Sequence, residues 1–141
     1  MQFISNSPEE TISIAKEFTK TLKPNDVIAF SGTLGAGKTV FTKGVALALN
    51  INQIITSPTF TLIQEYEAPI PLFHMDLYRI ENSEELELLG VEDYFFKGGI
   101  TLIEWSQKAQ EILPSSTYYI DINVSENGTR QITISTKEQG A

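Results

Sequence analysis

The chain has 141 residues, enough to bury a real core and too few for two ordinary domains, so one domain over 1–141 is expected. Ten basic residues against eighteen acidic ones give a net charge of −8, the wrong sign for a protein that grips a nucleic-acid backbone alone; any role at RNA would run through a partner. The lack of cysteine excludes disulfides and thiolate metal sites, and a single histidine argues against zinc.

A hydrophobic fraction of 41% is ordinary for a globular chain and argues against disorder. No apolar run approaches the roughly 18–20 residues of a spanning helix. The opening MQFISNSPEE shows no basic stretch followed by an apolar core, so a cytoplasmic protein without membrane association is expected.

In chain order, Ser7-Pro8-Glu9-Glu10 predicts a helix start, with Ser7 as cap, Pro8 in the first position and Glu10 completing a capping box. Ala15, Phe18 and Leu22 share one face, and Lys23-Pro24-Asn25-Asp26 ends the helix in a turn. VIAFS (27–31) reads as a buried strand, and TVFTKGVALALN (39–50), beyond a glycine-rich loop, as a helix. That order is a βα unit of an α/β protein. TFTLIQEY (59–66) and PLFHMDLY (71–78) predict two strands joined by a turn, and Ser83 a cap for a helix running to Leu89 and stopped by Gly90. GITLIE (99–104) reads as a buried strand and SQKAQEIL (106–113) as a helix stopped by Pro114. YYIDINV (118–124), a turn at Asn127-Gly128, and RQITIST (130–136) form a C-terminal hairpin, after which KEQGA is expected to fray.

Gly32-Thr33-Leu34-Gly35-Ala36-Gly37-Lys38-Thr39 matches the P-loop pattern: glycine, four residues, glycine, lysine, then serine or threonine. Glycines let backbone N–H groups turn inward around a β-phosphate, in conformations a side chain would block. The helix starting near Lys38 adds the partial positive charge of its N-terminus. Lys38 then reaches the β- and γ-oxygens, and the Thr39 hydroxyl ligates Mg²⁺. A nucleoside triphosphate site is predicted.

Such a site needs a carboxylate at the end of a neighbouring strand. The strand GITLI ends in Glu104, followed by Trp105. Glutamate reaches one methylene farther than the usual aspartate, and would hold the ion through water or orient the attacking water. A merely solvent-exposed strand-end glutamate has the same spacing. HMDLYR (74–79) places His74, Asp76 and Tyr78 on one strand face and Met75, Leu77 and Arg79 on the other. Asp76 could order magnesium or the nucleophilic water, or serve structure alone. SPTF (57–60) resembles a switch segment that senses a γ-phosphate, with Thr59 its candidate. Glu84, Glu85 and Glu87 form the densest acidic stretch, either a solvated helix face or part of a docking surface.

Taken together, SPEET, GTLGAGKT, SPTFTLIQEY, HMDLYR, EELELLG followed by EDYF, and LIEWSQK resemble the bacterial TsaE family, in the family's order and over nearly the whole chain. GTLGAGKT alone names only a superfamily; SPTFTL with HMDLYR and IEWS makes the likeness specific. The resemblance implies a P-loop fold with a mixed sheet, ATP hydrolysis, and association with the TsaB–TsaD pair that transfers a threonylcarbamoyl group to the adenosine beside the tRNA anticodon. It implies Mg²⁺ held by Thr39 and Glu104, phosphates wrapped by Gly35 to Val40 (Ala36, Gly37 and Lys38 included), and water positioned by Asp76. It also points to Ser5 in the N-terminal loop and Arg130 on the last hairpin as nucleotide contacts. Trp105 is left near the nucleotide, at a partner surface, or as a half-buried packing residue.

Two other enzyme classes and a binding module compete. P-loop kinases of small molecules usually close an arginine-bearing lid over the γ-phosphate. This chain has two arginines, Arg79 and Arg130, and no basic lid segment, which predicts slow hydrolysis without a partner. Guanine readers typically carry N-K-x-D, and the sequence has no such tetrapeptide. A module that holds nucleotide without hydrolysing it is the third.

Overall fold

The structure, a computed structural model, describes residues 1–32, 37–56, 58 and 62–136. Gly35, Ala36 and Thr59, the first residues of the strand expected at 59–66, and the terminal KEQGA lie outside the described residues. In chain order the elements are β1 (Gln2–Ser5), α1 (Pro8–Thr19), β2 (Val27–Gly32), α2 (Lys38–Ala48), β3 (Ile63–Tyr66), β4 (Leu72–Asp76), α3 (Ser83–Leu89), α4 (Val91–Tyr94), β5 (Ile100–Glu104), a 3-10 turn (Ser106–Ala109), β6 (Tyr118–Val124) and β7 (Arg130–Thr136).

The strands form one seven-stranded sheet in the order β1-β7-β6-β2-β5-β4-β3. Its centre, β6-β2-β5-β4, is parallel, and β1, β7 and β3 join antiparallel at the flanks. The expected mixed sheet flanked by helices, with a C-terminal hairpin, is what forms. Central parallel strands are covered on both faces and therefore read as unbroken apolar runs rather than alternating ones. In β2, Ile28 and Phe30 pack with Phe18 of α1 and Phe41 and Val45 of α2, while Val27 and Ala29 pack with Leu86 of α3, Val91 of α4 and Phe95. Phe30 and Phe41 meet edge to face with centroids 5.7 Å apart. Gly44 lets α1 and α2 touch: a Cβ there would stand 2.6 Å from Ala15 Cβ and 2.7 Å from the Ile12 carbonyl.

Four local details depart from the sequence reading. The strand β1 is an addition, laid antiparallel on β7 with Phe3 opposite Ile132. The cap of α3 is Asn82, whose Oδ1 accepts the Glu85 N–H at 3.1 Å, and not Ser83. The expected helix at 106–113 is only the 3-10 turn: Lys108 N–H bonds the Trp105 carbonyl and Ile112 N–H the Ala109 carbonyl, both three residues back. Buried Ala109 and Leu113 satisfy two successive turns as well as one α-helix, so their spacing did not discriminate. Finally, β4 stops at Asp76 because Asp76 Oδ1 takes the Tyr78 N–H at 3.0 Å and turns the chain; Tyr78 therefore leaves the strand face expected to hold it with His74 and Asp76.

Candidate active site

Strand direction assembles the site. The carboxyl ends of the parallel strands β2, β4 and β5 bring Gly32, Asp76 and Glu104 to one edge of the sheet. Antiparallel β1 and β7 add Ser5 and Arg130 to that edge, as register partners of each other. In open α/β sheets this is the edge where ligands bind.

The approach to α2 ends at Gly37, whose φ of 107° is open to glycine and strained for other residues. Lys38, Thr39 and Val40, all half-buried, form the first turn of α2. The first N–H groups of any helix lack intrahelical acceptors. Among the described residues no side chain caps this end, and its first turn has no acid. An anion is the natural complement.

Asp76 and Glu104 are opposite one another across β4 and β5. Burial pushes the Asp76 carboxyl above its ordinary value of 3.8; the Tyr78 N–H opposes this, the Glu104 charge adds to it, and His74 and Lys38 oppose it. Lys38 is thus electrostatically within reach of Asp76. Glu104, with a side chain 15% exposed, accepts the Nε2–H of fully buried His74 through Oε2 at 2.8 Å. Two neighbouring carboxylates and the Thr39 hydroxyl are hard oxygen donors, and the mutual repulsion felt at Asp76 is what a divalent cation would relieve. Among the described residues no three acidic, histidine or cysteine side chains converge into a metal cage, so a cation here would complete its shell with phosphate and water oxygens. That suits Mg²⁺, which keeps several waters and takes one or two carboxylates plus phosphate.

At the other end, a cleft of about 170 Å³ lies between the N-terminal loop, α2 and the C-terminal hairpin, lined by Ser5, Asn6, Thr11, Gly37, Val40 and Arg130. It is smaller than the roughly 300–1,000 Å³ of pockets that enclose drug-sized ligands. Arg130 comes close enough that a Cβ on Gly37 would stand 3.7 Å from its Nε, and its Nη1 donates to the Gly128 carbonyl at 2.8 Å. Ser5 is fully buried, and its hydroxyl already bonds the Ser7 carbonyl at 2.8 Å and Thr11 Oγ1 at 2.7 Å. It shapes the wall more than it offers a side-chain contact.

Trp105, next to Glu104, has φ 59° and ψ 43°, a left-handed conformation costly for a bulky residue. The kink lets Ser106 Oγ reach the Phe30 carbonyl at 3.2 Å and sets the Trp105 ring, 38% exposed, 4.9 Å from that of Tyr78. Sequence reasoning gave no role to Asn6, Thr11 or His74. For His74 a signal existed: strand period 2 places it on the face of Asp76.

The chain matches the family model for threonylcarbamoyl adenosine biosynthesis protein TsaE over residues 5–132. It is 47% identical to a tRNA threonylcarbamoyladenosine biosynthesis protein TsaE of Bacillus subtilis, covering 90% of this chain and 80% of that protein. Its likeness to the Treponema pallidum protein of the same name is 37% over 95% of this chain and 99% of that one. The crystal structure of Bacillus subtilis YdiB superposes with a TM-score of 0.83 at 37% identity, covering 99% of this chain and 88% of that one.

Proposed function

Because this chain belongs to the TsaE family of threonylcarbamoyl adenosine biosynthesis proteins, we propose that it binds ATP with Mg²⁺ at the carboxyl edge of its sheet and hydrolyses it to support turnover of a TsaB–TsaD complex. The observation that supports this best is convergence: strand direction brings the uncapped start of α2, Lys38, Asp76 and Glu104 to one edge.

In this reading the backbone from Gly32 to Val40, including Gly35, Ala36 and Gly37, cradles the phosphates, and Lys38 offsets their charge. Thr39 and Glu104 hold the Mg²⁺, which when bound neutralises charge developing between the β- and γ-phosphates. Asp76 orients the attacking water; a carboxyl held above its ordinary value is also a better proton acceptor. The cleft between Ser5 and Arg130 takes the base. With two arginines in the chain, hydrolysis alone is slow, and a partner supplies the missing positive charge. The −8 charge keeps tRNA an indirect partner, met through the complex, in the cytoplasm. Among the described residues no helix is long and apolar enough to cross a membrane.

The test is transfer of labelled threonine onto tRNA by the reconstituted system, followed through many turnovers with the parent chain, with Lys38→Ala, or with neither. Sustained turnover is expected only with the parent, and Lys38→Ala should lower the rate by about a hundredfold or more. If all three behave alike the reading is wrong, and a screen for a small-molecule kinase substrate takes its place.

A further inference from the structure

His74 is the sole histidine of the chain, fully buried on β4. Its Nε2–H donates to Glu104 Oε2 at 2.8 Å, while its Nδ1 meets no hydrogen-bond partner among the described residues. As packing, the ring is a poor choice, because an apolar side chain of similar size would fill the space without burying an unmet polar atom. The bond to Glu104 is what the imidazole adds.

That bond determines what the carboxylate can offer. With one lone pair of Oε2 taken by His74, Oε1 is the Glu104 oxygen with no hydrogen bond among the described residues, and a chelate through both oxygens would have to share Oε2 with the ring. Its neighbour is restrained the same way, since Asp76 Oδ1 accepts the Tyr78 N–H at 3.0 Å. Each acid at this edge therefore has one oxygen committed to the protein. Mg²⁺ requires near-octahedral geometry, built from single oxygens, whereas Ca²⁺ takes six to eight ligands and readily draws both oxygens of a carboxylate. A glutamate held so that it binds through one oxygen in preference to two discriminates between the two ions.

Granting the cation site proposed above, on which this depends, we propose that His74 is a positioning residue that makes Glu104 a one-oxygen ligand and so sets the preference for Mg²⁺ over Ca²⁺. The role is geometric, and removal of the N–H donor abolishes it. His74→Leu removes the donor at similar bulk; His74→Gln keeps an N–H donor near the same place.

The experiment titrates Mg²⁺ and Ca²⁺ calorimetrically into the ADP complexes of the parent, His74→Leu and His74→Gln. Thermal unfolding and cation-free ADP affinity serve as controls for folding. The ratio of Mg²⁺ to Ca²⁺ affinity should fall about tenfold in His74→Leu and recover most of that in His74→Gln, the size that supporting hydrogen bonds to metal ligands usually have. A folded His74→Leu with the parent's ratio overturns the proposal. Should His74→Leu fail to fold, ¹⁵N NMR of the single histidine in the parent decides. An Nε2–H that persists when Mg²⁺ joins the ADP complex supports the role; a proton found only on Nδ1 overturns it. If the parent's ADP complex takes up neither ion, the cation site itself has failed, a different result from a site without selectivity.

Discussion

Setting aside the single turn of α4, which starts on left-handed Gly90 without a side-chain cap but carries Glu92 and Asp93, the helices α1, α2 and α3 begin in two ways. At α1, Ser7 Oγ accepts the Glu10 N–H, and Glu10 reaches back to the N–H of Asn6 at 2.8 Å. At α3, Asn82 accepts the Glu85 N–H, and Glu85 reaches back to the N–H of Glu81 at 3.0 Å. The two ends use the same device, a capping box whose glutamate accepts the N–H one residue before the cap rather than that of the cap itself. Each also carries two acids in its first turn, Glu9 and Glu10 or Glu84 and Glu85. The start of α2 has a left-handed glycine and, among the described residues, neither a side-chain cap nor an acid. The backbone problem is identical: the protein closes two of these ends with its own side chains, and in the function proposed above the third is the one a phosphate would close.

The sharpest way to break this comparison is to give α2 what the others have. An acid in the first turn of a helix ordinarily stabilises it by about 0.3–1 kcal/mol. Thr39→Glu is expected to hold or slightly raise Tm while lowering ATP affinity by about a hundredfold or more, read by calorimetric titration. Parent-like affinity in that variant would show that the open end is not the phosphate site. The converse change, Asn82→Ala, should cost about 1 kcal/mol, a fall in Tm of roughly 2–4 °C, with ATP affinity unchanged.

The smallest effect concerns the acid pair. A carboxyl whose folded value is raised binds protons more tightly folded than unfolded, so its contribution to stability is fully present below the ordinary 3.8 and is lost as pH rises through the raised value. Asp76→Asn should therefore melt higher than the parent at neutral pH, by roughly 1–2 °C, and the gain should vanish below 3.8. A gain that persists in acid would mean that Asp76 ionisation is not what costs stability at this edge.

How much of this the sequence disclosed depended on how local the physics was. The cap of α1 and the glycine-rich approach to α2 could be read because all their parts lie within a few residues. The cap of α3 was misplaced by one because Asn82 and Ser83 are both capable side chains. Strand β1 escaped notice because exposed Ile4 and half-buried Phe3 give too few residues for a period. Glu104 and Asp76 were named individually, but their facing register, and the bond from His74 to a partner thirty residues away, exist only once parallel strands align. Ser5 and Arg130 were drawn from family likeness; their pairing across β1 and β7 is a tertiary fact no local pattern encodes.

The contact at Gly44 has a further consequence. Helix α1 follows directly on the loop that forms one wall of the cleft, and α2 begins at Gly37 on the opposite wall; where they cross, backbone and Ala15 leave no room for even a methyl group. The two helices act as the jaws of a fixed gauge, and if the cleft and the start of α2 take base and phosphate as proposed, the interval between them is machined into this joint. A side chain inserted at that joint would spread the jaws and change the interval between the cleft and the start of α2, without touching a residue that lines either.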